Sequence, residues 1–284
     1  MKVSLVRDAG AFLDRTSFFR SQVPYLTHVM GTVATSVATG QRTYQKMSWW
    51  VVEDSDAAVC GMMMRTAPHK LVLSPMPREA IDPAVAAVVE SDREIPGLSG
   101  SKELAESFLV QFFRLSDRIV QPRIEHRLLV YVLGSLNPPP PSMGSFRPGQ
   151  LSDFELLLTW WAGFADHTNV KRHGLEEGLR ASLVSGRIHL WMINDRPVCA
   201  VAHSPVVNVP SGPVARIGPV YTPPEERRKG YAGQLTAAVS SELIQWGIGL
   251  MLFSDATNAT SNGVYAPLGY ERVDEMVECV LEPV

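Results

Sequence analysis

The sequence predicts an α/β protein built as a tandem repeat of one unit, and three observations carry that prediction. Apolar runs of strand length alternate with amphipathic segments of helix length. A run of four prolines divides the 284 residues into two nearly equal halves. Each half also carries a similar apolar hairpin pattern. Elements interleaved at this spacing favour a mixed, mostly antiparallel sheet flanked by helices in each half.

The hairpin pattern is the evidence for the repeat. Residues 48–68 and 188–206 each consist of an apolar run, an acidic turn and a second apolar run that begins with Val-Cys. The matching pairs are Val59-Cys60 and Val198-Cys199, and strands joined by a short polar turn form a β-hairpin. The two predicted turns are Asp54-Ser55-Asp56 and Asn194-Asp195.

The proline run marks the predicted boundary between domains. Pro138 to Pro141 cannot continue a helix or lie in a central strand, because proline has no N–H donor and a fixed φ. We therefore expect domains at 1–136 and 146–284, joined by a Pro-rich linker at 137–145.

The remaining elements follow from periodicity and turn residues. We expect a helix at 151–167 that begins with a capping box of Ser152 and Glu155. In the first half we expect a helix at 101–115 and a strand at 127–133. Further helices are expected at 175–184, 230–245 and 261–268, and further strands at 215–221, 250–254 and 276–281.

Composition excludes several classes of protein. Hydrophobic residues make up 45% and charged residues 19%, which is typical of a globular protein with a sizeable core. The net charge of −3 gives no positive field to attract nucleic acid or an anionic membrane, so we expect neither as a partner. No apolar run reaches the roughly 18 residues that span a bilayer, and no signal peptide is evident. We expect a cytoplasmic protein, and the sequence gives no indication of an oligomer.

The cysteines and histidines do not indicate a metal or disulfide site. Cys60, Cys199 and Cys279 are odd in number and far apart, which excludes a disulfide scaffold and a CxxC site. His167 and His173 lack metal-ligand spacing and a fourth partner. We expect no metal.

The segment Arg216–Gln234 has the composition of an anion-binding loop. A strand ends at Thr222, two prolines follow, and Arg227, Arg228 and Lys229 precede Gly230, where a helix begins. The first N–H groups of a helix have no internal partner and carry about half a positive charge, so a phosphate fits there. A basic turn that merely caps a surface helix is the alternative.

The loop is neither a Walker loop nor a Rossmann fingerprint, since GxxxxGK[ST] and GxGxxG are both absent. Instead, Arg227-Arg228-Lys229-Gly230-Tyr231-Ala232 resembles the R/Q-x-x-G-x-G/A pyrophosphate loop of the GNAT superfamily of acyl-CoA N-acyltransferases. The resemblance implies a strand that splays from its neighbour to leave a cleft for acyl-CoA. It assigns CoA binding to Val220, Tyr221, Thr222, Arg227, Arg228, Lys229, Gly230, Tyr231, Ala232 and Gly233.

A second segment resembles a later motif of the same superfamily, N-x-x-(S)-N-x-x-Y-x-x-x-G-F/Y. Here Asn258, Ser261, Asn262 and Tyr265 precede Gly269-Tyr270, and Asn262 and Tyr265 share a helical face. The resemblance assigns CoA binding to Asn258, Ser261, Asn262 and Tyr265. It covers Arg147 to the C-terminus, and its specific part lies within 216–270.

The implied reaction is transfer of an acetyl group from acetyl-CoA to a primary amine, by direct attack in a ternary complex. In that resemblance Tyr265 is the catalytic residue that donates to the departing thiol. The acceptor is a small-molecule or peptide amine that the sequence does not select. A catalytically silent acyl-CoA sensor, a longer acyl group and a hydroxyl acceptor remain alternatives.

The general base stays open at this stage. Glu225 and Glu226 lie in the loop, and His203 ends the hairpin strand; a water relay is a further alternative. Each of the three side chains also has a purely structural interpretation, as a solvated carboxylate or a packed histidine.

The first half carries no comparable loop. After Leu71–Ser74 the chain reads Pro75-Met-Pro-Arg-Glu-Ala-Ile-Asp-Pro83, with one cation and no glycine. We therefore expect the N-terminal half to be a degenerate GNAT-like copy that binds no CoA.

Overall fold

The computed structural model describes residues 1–168 and 174–284. Its strands are, in chain order, β1 (Lys2–Val6), β2 (Met47–Glu53), β3 (Val59–Thr66), β4 (Leu71–Leu73), β5 (Gly97–Ser101), β6 (Val120–Leu133), β7 (Ser145–Pro148), β8 (Ile188–Ile193), β9 (Arg196–His203), β10 (Val207–Val209), β11 (Gly212–Tyr221), β12 (Gly249–Asp255) and β13 (Tyr270–Pro283). Its α-helices are α1 (Ala9–Arg15), α2 (Ser17–Gln22), α3 (His28–Ala38), α4 (Ile81–Asp92), α5 (Lys102–Ser116), α6 (Phe154–Thr168), α7 (Leu175–Val184), α8 (Tyr231–Gln245) and α9 (Ala259–Tyr265).

The chain divides into two compact units. The first is formed by Met1–Leu129, Val207–Gly212 and Asp274–Val284, and the second by Val130–Val206 and Pro213–Val273. Each unit therefore gathers segments that are distant in sequence.

The first unit has a mixed sheet with helices on both faces. Strands β1 to β4 pair antiparallel in chain order, and β4 pairs parallel with β5. The end of the chain completes this sheet, because Met276–Val280 pairs antiparallel with β5. Trp49 and Trp50 point to opposite faces, as alternation along a strand requires. Trp49 packs against α1 and α3, and Trp50 joins the core formed with α4 and α5.

The second unit repeats this pattern of strands. Strands β7, β8, β9 and β11 pair antiparallel, and β11 pairs parallel with β12. Helices α6 and α7 pack on one face through a core that includes Leu157, Trp160 and Leu190. Helix α8 contacts β8, β9 and β12. A mixed, mostly antiparallel sheet flanked by helices is thus confirmed.

Both predicted hairpins are confirmed. Strands β2 and β3 form the first and β8 and β9 the second. The turn of the second hairpin is made by Asn194 and Asp195, whose φ angles of 47° and 61° are typical of a two-residue type I′ turn.

One predicted helix start is wrong. Helix α6 is preceded by a 3₁₀ turn at Leu151–Asp153, and the capping box is formed by Gln150 and Asp153. The Asp153 carboxylate also makes two hydrogen bonds to Arg147, each 2.8 Å long. The Ser152 and Glu155 pattern fits the capping motif equally well in sequence, but in the structure Gln150 and Asp153 form the box, and Arg147, six residues earlier, holds Asp153.

No helix in the described part of the chain is both long enough and apolar enough to cross a membrane.

Candidate active site

The strand pair β11 and β12 separates partway along its length. Parallel pairing runs from Val214 opposite Gly249 to Ile217 opposite Leu252. Beyond that point β11 continues to Tyr221 paired with β9, after a bulge between Ile217 and Val220. This is the splayed pair that the resemblance implies, and it leaves backbone groups of Val220 without a partner on β12.

The loop after β11 ends in a left-handed glycine. Gly230 has φ 81° and precedes α8 as its N-cap, and no side chain caps that helix. A Cβ at Gly230 would meet no atom within 4 Å, so the space beside the loop is open. The first turn of α8 contains no acidic residue. The N–H groups of Tyr231, Ala232 and Gly233 are therefore available to an anion.

The three cations of the loop have different surroundings. Lys229 donates to the Glu226 carboxylate at 2.8 Å, and Arg196 pairs with the same carboxylate at 2.8 Å. The hydrogen bond from Lys229 holds the pKa of Glu226 below its usual value, and the reciprocal contact raises the pKa of Lys229.

Arg227 and Arg228 differ from Lys229. The Nε of Arg227 donates to the Thr222 carbonyl at 3.0 Å, which ties the loop to the end of the strand. Arg228 is exposed and has a φ of 62°, in the left-handed region. Lys229 and Arg227 are thus engaged by neighbouring groups, and Arg228 is an exposed cation of the loop.

Tyr265 lies at the end of α9 and is 7% exposed. Its ring packs beside Tyr131 and Tyr270, with centroids 6.3 Å and 6.2 Å away. Among the described residues its hydroxyl has no hydrogen-bond partner. Burial raises the pKa of the phenol well above its ordinary value, so it stays protonated at neutral pH and can donate.

The side chains before Tyr265 stabilise α9. The Asn258 side chain accepts from the Ser261 N–H at 3.0 Å and caps the helix. Asn262 donates to the Asp255 carbonyl at 3.1 Å, and its Oδ1 is buried without a partner among the described residues. The local geometry therefore assigns capping to Asn258 and leaves one free acceptor on Asn262.

Tyr221 presents its backbone, not its side chain, to the splayed strand end. Its ring packs on α6, 6.1 Å from the Trp160 ring. A Cβ on Gly163 would lie 2.6 Å from the Tyr221 hydroxyl, so a larger residue there would displace the Tyr221 ring. Because side chains alternate along a strand, Val220 and Thr222 face the opposite side, toward α8.

Sequence reasoning missed Cys199 as a neighbour of the site. It lies on β9, and its sulfur accepts from the Thr222 hydroxyl at 3.2 Å. Burial raises the pKa of this thiol to about 12. The contact follows from the register of β9 against β11, in which Ala200 pairs with Tyr221 and Cys199 lies beside Thr222; a single sequence carries no local signal for it.

The candidate bases are unequal. Glu225 is exposed, and Glu226 is held in its two ion pairs. His203 is partly buried, and its Nδ1 lies 2.9 Å from the Ser204 carbonyl. Since a carbonyl only accepts, Nδ1 carries the proton and Nε2 is left as the basic nitrogen. Burial lowers the pKa of His203, which keeps the ring neutral near pH 7.

One group of candidate metal ligands occurs among the described residues, in the first unit. Glu125, His126 and Glu278 lie close together, but Lys70 bridges the two carboxylates at 2.6 Å and 2.9 Å. A lysine in that position already compensates their charge. His173 lies outside the described residues.

Comparison with known proteins agrees with this fold. Residues 209–279 match the family model of FR47-like proteins, and no curated protein sequence matches significantly. An acetyltransferase of the GNAT family from Colwellia psychrerythraea superposes with a TM-score of 0.61 at 9% identity, covering 99% of this chain and 100% of that one. A tandem GNAT protein from the clavulanic acid biosynthesis pathway superposes with a TM-score of 0.57 at 12% identity, covering 99% of this chain and 98% of that one. A GCN5-related N-acetyltransferase from Kribbella flavida superposes with a TM-score of 0.55 at 15% identity, covering 89% of this chain and 95% of that one.

The matched region 209–279 contains β11, the loop at Arg227–Gly230, α8 and Tyr265. At these identities the solved structures establish the fold. The resemblance drawn from Arg227–Ala232 is confirmed: the chain has the fold of a tandem GNAT protein, and its C-terminal half resembles the FR47-like, GNAT-related family.

Proposed function

We propose that this protein transfers an acetyl group from acetyl-CoA to a primary amine by direct attack within a ternary complex. The observation that carries the proposal is the combination, in one unit, of a splayed strand end, an uncapped helix N-terminus and a protonated, unpartnered Tyr265. The proposal places the pyrophosphate on the amides after Gly230. It places the pantetheine arm along Val220 and Thr222.

Positioning is expected to provide most of the rate. A primary amine with a pKa near 10.4 is neutral in only about one of 10³–10⁴ molecules at pH 7. Holding the amine nitrogen and the thioester in line is worth an effective molarity of about 10⁵ M or more, which exceeds the contribution of general acid–base help. An N–H near Val220, freed where the strands separate, is suited to stabilise the developing oxyanion.

Tyr265 is proposed to act on the leaving group. The CoA thiol has a pKa near that of a free cysteine, about 8.5. A phenol, whose ordinary pKa is about 10, is a weaker acid than this thiol and so a poor proton donor to the departing thiolate. Burial raises the pKa of Tyr265 further. We therefore assign Tyr265 as a hydrogen-bond donor to sulfur. His203 Nε2 and a water relay are the candidates to accept the proton of the amine.

We propose further that the N-terminal half, residues 1–136, is a degenerate copy that binds no CoA. The domain boundaries at 1–136, 137–145 and 146–284 remain part of this proposal.

Thiol release from acetyl-CoA, measured with a panel of small amines and amine-bearing peptides, tests the proposal. Amine-dependent release with one CoA bound per chain in isothermal titration is the expected result. Binding without release for every amine would favour the silent sensor, and release with hydroxyl acceptors alone would favour an O-acyltransferase. Two CoA per chain would contradict the assignment of the first unit.

A further inference from the structure

A cavity opens in the first unit between α2 and the turn of the β2–β3 hairpin. Its volume is about 590 Å³, within the range of roughly 300–1,000 Å³ that holds small molecules in proteins. The residues that line it come from the end of α1, from α2 and from the hairpin, and all of them belong to the first unit. None of them belongs to the segments assigned to CoA, so the cavity is separate from the proposed acyl-CoA site.

The cavity has an apolar floor and an exposed aromatic edge. Phe19 and Val59 line it and pack into the core around Trp49, which fixes their positions. Phe18 also lines the cavity and is 74% exposed. A single exposed phenylalanine is ordinary on a protein surface, but this ring stands beside a cavity and is accessible to a molecule inside it. These side chains suit the apolar part of a ligand.

The charges of the cavity are unequal. Of the described residues that line it, Arg15 and Asp54 are charged, and Arg15 already pairs with Glu53 at 2.8 Å. The Oδ1 atom of Asp54 accepts from the N–H groups of Asp56 and Ala58 at 2.9 Å and 3.0 Å. Within residues 1–168 and 174–284 no ion pair compensates Asp54. Its second oxygen therefore offers an acceptor and a negative charge to a ligand.

Cys60 forms part of the hairpin wall and adds no charge. Its side chain is partly exposed. Burial raises the pKa of its thiol, and the Asp54 carboxylate raises it further, so the sulfur stays protonated near pH 7. The cavity thus combines an apolar surface with one uncompensated carboxylate.

We propose that this cavity binds a primary amine that carries an aromatic or short apolar group. An ammonium between the Asp54 carboxylate and the Phe18 ring gains a charge-assisted hydrogen bond and a cation–π contact. Its apolar group then covers Phe19 and Val59. An anionic ligand would meet an arginine that is already paired and would be repelled by Asp54. The site requires no CoA, so this proposal and the proposed function are tested independently.

Three probes of nearly equal size and different charge test the proposal on the full chain. They are 2-phenylethylamine, a cation near pH 7, 2-phenylethanol, which is neutral, and phenylacetate, an anion. We expect the Kd of the amine to be about 5-fold or more below that of the alcohol, and phenylacetate to bind most weakly. Titrations followed by NMR measure the three Kd values.

Alkylation of Cys60 reports where the amine binds. Cys199 and Cys279 are buried, so Cys60 is the accessible thiol of the three. Bound 2-phenylethylamine should slow the reaction of Cys60 with iodoacetamide, measured by peptide mapping in a mass spectrometer.

Matched variants of the hairpin turn separate the Asp54 charge from its structural role. Asp54→Asn keeps an Oδ1 that accepts the two backbone N–H groups and removes the charge. It should bring the Kd of the amine within about 2-fold of that of the alcohol. Asp56→Asn removes an exposed charge of the same turn that does not line the cavity, and should leave the Kd values unchanged.

Phe18→Ala tests the aromatic edge. Because Phe18 is exposed, its loss should leave the fold intact and weaken the amine and the alcohol together, the amine by about 5-fold.

The results that would overturn the proposal are specific. Equal affinity of the wild type for the amine and the alcohol would overturn it, as would tighter binding of phenylacetate. Amine binding that Asp54→Asn leaves unchanged, or that does not protect Cys60, would place the amine elsewhere and overturn it too.

Discussion

In each unit the first strand of the parallel pair is followed by a 3₁₀ turn and then a helix, and the two units differ in the residues at this strand-to-helix junction. In the first unit β4 runs parallel to β5, and a 3₁₀ turn at Arg78–Ala80 leads into α4. In the second unit β11 runs parallel to β12, and a 3₁₀ turn at Pro224–Glu226 precedes α8.

The first junction lacks the features proposed for the anion site in the second. Helix α4 follows its turn at once, from Ala80 in a right-handed conformation, and its first turn carries Asp82. An acidic residue there already interacts with the helix dipole and repels a phosphate. Met76 also packs so close to Gly61 that a Cβ on the glycine would lie 2.7 Å from the Met76 Cβ.

The second junction is open. Arg227–Gly230 separates the turn from α8, Gly230 adopts φ 81°, and no acidic residue follows in the first turn. The comparison teaches that the parallel strand pair and the helix are scaffold. The loop at Arg227–Gly230, with its left-handed glycine and its cations, is what the proposed anion site adds to that scaffold.

The largest expected effect concerns Tyr265, which has no equivalent in the first half. Tyr265→Phe should lower turnover about 100-fold and leave the Kd of CoA nearly unchanged, because the lost hydrogen bond acts on the departing sulfur. Steady-state kinetics and calorimetry measure the two quantities.

Tyr270→Phe is the matched control. Its hydroxyl bonds to Ser240 at 2.8 Å, so its loss should cost about 1 kcal/mol of stability and change turnover little. Equal loss of CoA affinity and turnover in Tyr265→Phe would contradict the assigned role.

The next largest effect is expected at Gly230, the left-handed glycine that α4 of the first unit lacks. Gly230→Ala places a Cβ at φ 81°, which costs about 1–2 kcal/mol and shifts the loop amides, so CoA affinity should fall about 10-fold. Gly247→Ala introduces the same strain at φ 70° just beyond the other end of α8. It should lower the melting temperature similarly without affecting CoA, and a similar loss of CoA affinity in both variants would remove the case for the loop.

A smaller effect distinguishes the cations. Lys229 is engaged by Glu226, whereas Arg228 is exposed at the open side of the loop. Arg228→Ala should therefore weaken CoA binding by about 2–5-fold at low salt, and Lys229→Ala by less. Titrations at two ionic strengths measure the difference, and the reverse order would place the pyrophosphate on the lysine.

The smallest effect is on the pH dependence of stability. His189 is 4% exposed, neither ring nitrogen has a partner in the described part of the chain, and burial lowers its pKa. As the pH falls, His189 is protonated at a higher pH in the unfolded state than in the folded state. The free energy of unfolding is therefore greatest above the unfolded pKa of about 6.5 and declines as the pH falls toward the lower folded pKa. Thermal melts should show a steeper loss between pH 7 and 5 for the wild type than for His189→Leu. Parallel curves would contradict this.

Local signals in the sequence predict much of this fold. The hairpin at Asn194-Asp195, helix Leu175–Val184 and the helix after Gly230 are all confirmed, because each depends on turn residues or periodicity within a few positions. The predicted cap of α6 was wrong, because two overlapping pairs, Gln150 with Asp153 and Ser152 with Glu155, both offer capping side chains and the motif does not rank them. The pairing of Met276–Val280 with β5 joins residues far apart in the chain and leaves no local trace.

The backbone of the candidate site was more predictable than its side-chain contacts. The glycine loop is a local motif, so the start of α8 at Gly230 could be predicted from sequence, and its contacts with CoA stay a prediction. The facing direction of Tyr221, the ion pair of Lys229 with Glu226 and the contact of Thr222 with Cys199 depend on strand register and tertiary neighbours.

The crystal structure of the chain with CoA tests the central claim most directly. We expect the pyrophosphate within hydrogen-bond distance of the N–H groups of Tyr231, Ala232 and Gly233, and the CoA sulfur near the Tyr265 hydroxyl. A pyrophosphate bound elsewhere, or a phenol turned away from the sulfur, would contradict the account.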